Sequence, residues 1–207
     1  MKRMQIALAF FMTIGLTASA AEAQYVRWNY NNQAVALGTG CNSILQDTAF
    51  VVAGDEVSVI FSRLGVEIPS GSNPRSGVSN CRVRIPIVVS RQIAIGDLTQ
   101  KLSYGWAKDI YSEGDITTKA TFFGLPASPI NVHLGRYTRG AEAYNERSVT
   151  NTFLQFTNWC QGRDVTGLMM IDFAVSGVTY AGTSTISVSI FGEDVKYEAL
   201  ALWRYCV

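Results

Sequence analysis

The chain has 207 residues, 17 basic and 16 acidic side chains, and an apolar fraction of 48%. That apolar content supplies a sizeable core and excludes a disordered chain. The charges balance and the basic residues are scattered singly or in pairs, which excludes the basic stripe of a nucleic-acid binder.

The first predicted element is a targeting segment. Lys2 and Arg3 precede an 11-residue apolar run at 6–16, and the small-x-small triplet AEA follows at 21–23. The run falls short of the ~20 apolar residues that span a bilayer. Residues 1–23 therefore read as a secretory signal peptide cut before Gln24, with ASA at 18–20 as the alternative site. Residues 24–207 then form a single secreted or periplasmic domain without a transmembrane segment. Loss of Lys2, Arg3 and Glu22 leaves its formal charge at zero.

Beyond the leader, period-two alternation dominates. In EVSVIFSRL, Val57, Val59 and Phe61 share one face, with Ser58, Ile60 and Ser62 on the other. In CRVRIPIVV, Cys81, Val83, Ile85, Ile87 and Val89 point one way and Arg82 and Arg84 the other, the pattern of a half-buried strand. Pro86 lacks a backbone donor, so that strand is expected to lie at an edge or to bulge there. DITTKATFFG, NTFLQFTNW, LMMIDFAVSG, TSTISVSIFG and YEALALWRYC read as further strands, rich in Thr, Val, Ile and aromatics. AGDE, PSGSNPRSG, SEGD, GLPASP, QGRD and AGTS mark turns between them, and residues 68–80 read as a long Ser/Gly/Pro loop. The best helical candidate is GAEAYNERSV, worth one or two turns in a loop. Roughly nine or ten short strands with no long helix predict an all-β fold, an antiparallel β-sandwich or jelly roll.

Four cysteines follow the leader: Cys41, Cys81, Cys160 and Cys206. None stands in a C-x-x-C pair, so zinc-knuckle spacing is absent. An even count in an exported chain implies two disulfides, with three pairings open. Cys41–Cys81 with Cys160–Cys206 is favoured, because each bridge closes a loop within one half of the chain. Trp159 and Trp203 stand shortly before the second pair, where large aromatics can shield a bridge.

Catalytic signatures are sparse. His133 is the sole histidine, and neither a G-x-S-x-G elbow nor a D-x-D-x-D-G calcium loop is present. One histidine cannot build a His-rich metal site, and no cofactor or metal is expected. Asp172, within MMIDFAV, is the most conspicuous acid. Buried, it would have a raised pKa suited to acid–base chemistry; on an alternating strand it would simply face solvent. Tyr104, Trp106, Tyr111, Tyr137 and Tyr144 fall in loop-rich stretches. Gathered on one exposed face, they could stack on sugar rings. The simpler alternative packs each into the core or rim.

GTGCNS around Cys41, NCRVRIPIVV from Asn80, NWCQG around Cys160 and LWRYC at the end, with LSYGWAKD and KATFFG between them, occur in an order that resembles a family of small secreted proteins of fungi and bacteria, domain of unknown function 4360. The matching positions are Gly40-Cys41, Cys81, Tyr104-Gly105, Trp159-Cys160 with Gly162, and Trp203 through Cys206, spanning residues 38–206. Asn42 stands where that family often has Pro, and the third motif is compressed to Trp-Cys. The resemblance implies a secreted, disulfide-stapled β-protein and brings no established activity or catalytic residues. The function expected is a non-enzymatic surface-interaction or envelope/matrix role, with a polysaccharide or an envelope protein as partner. The alternatives are a carbohydrate-binding module and a hydrolase using His133 or Asp172.

Overall fold

The structure is a computed structural model that describes residues 26–28, 34–41, 47–89, 93–153 and 165–202. All regular structure among them is β. The strands in chain order are β1 (Val26–Trp28), β2 (Val35–Leu37), β3 (Thr48–Ala53), β4 (Glu56–Phe61), β5 (Gly65–Ile68), β6 (Ser76–Val89), β7 (Ile93–Lys108), β8 (Ser112–Phe122), β9 (Leu125–Pro126), β10 (Ile130–Leu134), β11 (Gly140–Phe153), β12 (Val165–Thr179) and β13 (Ile186–Leu202). A seven-stranded sheet runs β1-β6-β12-β8-β10, with β2 added to β6 and β9 to β8. A six-stranded sheet runs β11-β7-β13-β4-β3, with β5 added to β13. Every pairing is antiparallel.

The two sheets form a sandwich because each presents one apolar row per strand. The seven-stranded sheet contributes Val83, Ile85 and Ile87 from β6, Ile116 and Phe122 from β8, and Met169, Ile171 and Phe173 from β12. The six-stranded sheet answers with Val57 and Val59 from β4, Leu98 and Leu102 from β7, and Val188 and Ile190 from β13. Each such side chain contributes about 1.5–3 kcal/mol on burial. Phe61 of one sheet meets Phe173 of the other edge to face, with ring centroids 4.9 Å apart. Cys41 and Cys81 are buried in this layer and bonded, with Cα atoms 5.5 Å apart. Their separation of 40 residues makes the bridge worth about 4 kcal/mol in the chain-entropy account. The expected Cys160–Cys206 bridge and the signal peptide lie outside the described residues.

Three local expectations are corrected. GAEAYNERSV is not helical; it opens β11, whose ladder to β7 runs from Gly140 opposite Lys108 to Phe153 opposite Gly96. Ala and Glu favour a helix, but a ladder of hydrogen bonds to a neighbouring strand outweighs that local preference. Pro86 neither bulges nor ends a sheet, since β6 passes it in unbroken register opposite Leu168. On the side away from β12, β2 pairs only as far as Arg84 and β1 only from Ile87, so neither strand pairs with β6 at Pro86. The connection read as 68–80 is shorter, because β6 already begins at Ser76.

Candidate functional site

Strand β7 alternates between an inward row (Leu98, Gln100, Leu102, Tyr104) and an outward row (Thr99, Lys101, Ser103, Gly105). Along the middle of the strand its two neighbours lose step with it at the same level, and β13 does so again near its end, between Ala199 and Leu202. On β11 the register slips between Glu142 and Asn145, placing Ala143 and Tyr144 opposite Gly105. On β13 it slips between Ile190 and Gly192, inserting Phe191 between the partners of Tyr104 and Ser103. The two bulges therefore flank the same short stretch of β7, and each delivers an aromatic ring to the outer face.

Tyr144 is 60% and Phe191 39% exposed. Their rings lie within 2° of parallel with centroids 6.4 Å apart, an offset stack. Gly105 is required beneath them. A Cβ there would lie 2.7 Å from the Ala143 backbone oxygen and 2.8 Å from Cζ of Phe191. The Tyr144 hydroxyl donates to Glu146 and, its one proton spent, accepts from Ser103 Oγ at 3.2 Å. Lys101 Nζ lies 2.7 Å from Glu146. Hydrogen bonds from Lys101 and then Tyr144 hold the Glu146 carboxyl below its usual range, so the charged network fixes the tyrosine ring in place.

Two adjoining grooves cross this face. One, of about 310 Å³, has Gly105, Ala107, Ala141 and Ala143 among its lining with Ser187 and Ser189, and Trp106 and Glu142 also line it. The other, of about 400 Å³, continues over Arg63, Gly65 and Glu67. Both include Ser187, Ser189 and Phe191. Small side chains make the depression, Phe191 belongs to both halves, and carboxylates, hydroxyls and one guanidinium supply polar groups.

The aromatic residues singled out in the sequence are divided. Tyr104 is a core residue, 2% exposed, and offers no surface. Trp106 is half-buried against the core and reaches the groove. Tyr111 and Tyr137 are exposed on the connections that cap one end of the sandwich. There the Arg136 guanidinium lies 3.9 Å from the ring centroid of Tyr180 and 5.7 Å from that of Tyr137. Those connections are tied by the buried Lys108 ammonium, which donates to the carbonyls of Asp109, Ser112 and Thr138 and whose pKa burial lowers. Of the five, Tyr144 stacks beside Phe191 and Trp106 lines the adjoining groove.

His133 and Asp172 lie on the outer face of the seven-stranded sheet. His133 Nδ1 is 2.7 Å from Asp115, and Asp172 takes two hydrogen bonds from Arg82. In the register His133 stands opposite Asp115 and Asp172 opposite Lys119. They are thus two strands apart and separated by roughly 13 Å along the strands as well. Neither lines either groove. Among the described residues no cluster of three or more His, Cys, Asp or Glu could hold a metal ion.

A further residue escaped the alternation. Ahead of its bulge β13 buries Ile186, Val188 and Ile190; beyond it, Glu193 and Val195. The bulge inverts the phase, and Glu193, 1% exposed, enters the core between Val59 of β4 and Leu102 of β7. Gln100 lies diagonally across on β7, and Thr118 faces from β8. Among the described residues the Glu193 carboxyl, the Gln100 amide and the Thr118 hydroxyl make no hydrogen bond of good geometry. Burial pushes the Glu193 carboxyl up to about 8; the Thr118 hydroxyl opposes this from outside bonding geometry, and the neighbouring Asp194 charge adds to it.

No protein-family model and no curated protein matches the chain. Among solved structures it is similar to TmCBM61 in complex with beta-1,4-galactotriose, at 10% identity over 81% of this chain and 89% of that one, with a TM-score of 0.34. It is also similar to the enzymatically active domain of bacteriophage CBA120 tailspike protein 4, at 13% identity, 82% of this chain, 20% of that one and a TM-score of 0.25. A third is TmCBM27, a carbohydrate-binding module studied for mannan recognition, at 11% identity, 84% and 98% coverage and a TM-score of 0.25. Likenesses this distant say nothing of what this chain binds.

Proposed function

We propose that the chain is a secreted or periplasmic, non-catalytic glycan-binding protein that takes a polysaccharide segment along the outer face of the six-stranded sheet. The observation that carries the reading is the pair of bulges on either side of β7, which bring Tyr144 and Phe191 outward and parallel above a glycine. Bulges cluster where a side chain must be re-aimed, often beside functional sites. The C–H face of a pyranose packs on an aromatic face, and its hydroxyls need nearby donors and acceptors. Ser187, Ser189, Glu142, Glu67 and Arg63 supply them. Two adjoining grooves sharing one aromatic suit an extended chain better than an enclosed monosaccharide.

The test is affinity electrophoresis and calorimetry against a panel of soluble α- and β-linked polysaccharides. Binding to at least one is expected, weakened about tenfold or more by Phe191→Ala and by Tyr144→Ala, a loss of about 1.4 kcal/mol each. Binding to none, or binding indifferent to both substitutions, rejects the reading.

A further inference from the structure

We infer that the bulge of β13 is a proton-controlled hinge: a neutral Glu193 side chain lets β13 close over the core and hold Phe191 on the groove face, and loss of that proton opens the segment around Gly192 and loosens the face. The inference rests on the glycan-binding reading for its biological meaning, whereas the coupling itself is a property of the strand.

Phe191, Gly192 and Glu193 are consecutive. One irregularity therefore sets both the outward position of the ring and the inward position of the carboxyl. Among the described residues the carboxyl has no cation to meet. The inward rows packed around it are Leu98, Gln100, Leu102 and Tyr104 on β7, Val57, Val59 and Phe61 on β4, Ile116, Thr118 and Ala120 on β8, and Ile171 and Phe173 on β12. The Tyr104 phenol is the one titratable group among them, and it carries no positive charge. Lys101 and Lys119 stand on outward rows of their strands. Asp194, next on β13, only repels a second negative charge. A carboxylate in such a layer must reach water or stay protonated.

The route to water runs through Gly192. Its α-carbon is pressed against β4, where a Cβ would lie 2.6 Å from the Val59 backbone oxygen. Opening there separates β13 from β4 and carries Phe191 away from Gly105 and Tyr144. A polar trio of Glu193, Gln100 and Thr118 weakens a core that apolar residues would fill better. Its position directly behind the bulge is where a bistable element with a protonation trigger would be built. The carboxyl titrates near 8, so the change falls between mildly acidic and mildly alkaline conditions.

The test is a pH series from 5 to 9 on the ligand-free full chain, isotope-labelled and followed by NMR. The Glu193 carboxyl carbon should titrate with a midpoint near 8. The amides of Phe191, Gly192 and Tyr144 should shift with the same midpoint, and hydrogen exchange of 191–195 should accelerate beyond the intrinsic effect of pH. Glu193→Gln, which keeps the shape without the titration, should abolish all amide shifts with that midpoint. A Glu193 carbon already ionised at pH 5, unmoved amides, or the same titration in Glu193→Gln overturns the inference; the first two need only the native protein. In parallel, affinity for whichever polysaccharide of the panel binds at pH 6 should fall about tenfold or more by pH 9 in the native chain and not in Glu193→Gln. A chain that titrates but binds no glycan rejects the ligand and keeps the hinge. A chain that binds equally at both pH values without titrating keeps the ligand and rejects the hinge.

Discussion

A carboxyl group moved from water into an apolar layer keeps its proton, and in this protein Glu193 makes that rule measurable. Its pKa rises from 4.5 to about 8 on folding, because burial penalises the charged form. Below 4.5 both folded and unfolded chains hold the proton, and the group costs nothing as a charge. Between 4.5 and 8 the unfolded chain sheds it while the folded chain does not, so stability falls as pH rises; beyond 8 the loss levels off. At about 1.4 kcal/mol per unit, the ceiling is on the order of 5 kcal/mol. Urea midpoints across this range should therefore decline in the native chain and stay level in Glu193→Gln. A native midpoint that rises towards pH 8 contradicts the assignment. Alternation in the sequence could not place this residue. EDV reads as outward-facing charge unless one notices that Ile190 and Val195 are five apart, an odd interval that cannot lie on one face of a regular strand.

At the scale of the strands, two glycines hold the bulges in place. Gly105 lies under Phe191 and beside the Ala143 carbonyl, so Gly105→Ala should displace the ring and reduce glycan affinity more than it lowers the melting temperature. Gly192→Ala meets backbone on β4 that cannot yield cheaply, and should cost about 1–3 kcal/mol in thermal or urea unfolding. Equal, negligible effects of both would mean that the bulges relax freely and do not position the rings. Regular strands were legible because their periodicity is local: EVSVIFSRL places Val57, Val59 and Phe61 inward, and CRVRIPIVV does the same for Val83, Ile85 and Ile87. The β11 segment was not, because its strand state comes from pairing with β7 rather than from its own helix-favouring Ala and Glu. Pro86 was misplaced for a related reason: whether a missing donor matters depends on which neighbours happen to reach it.

For the whole molecule, the sandwich follows from alternation, and the Cys41–Cys81 bridge is the pairing favoured, among the three that the cysteine count allows, for closing a loop within one half of the chain; the groove follows from neither. The proposed ligand face, made by two bulges, joins residues from β11, β7, β13 and β5, and no spacing rule in the chain unites Tyr144 with Phe191. The bridge ties the segment after β2 to the inner row of β6, and Cys81→Ser should cost about 2–5 kcal/mol in non-reducing thermal unfolding. The most direct test of the glycan-binding account is chemical-shift mapping of the isotope-labelled full chain titrated at pH 6 with the polysaccharide it retains best. The account predicts perturbations centred on Gly105, Ala107, Tyr144, Ser187, Ser189 and Phe191. Perturbations confined to the capping loops of Tyr111, Tyr137 and Tyr180, or to the opposite face around His133 and Asp172, would contradict it.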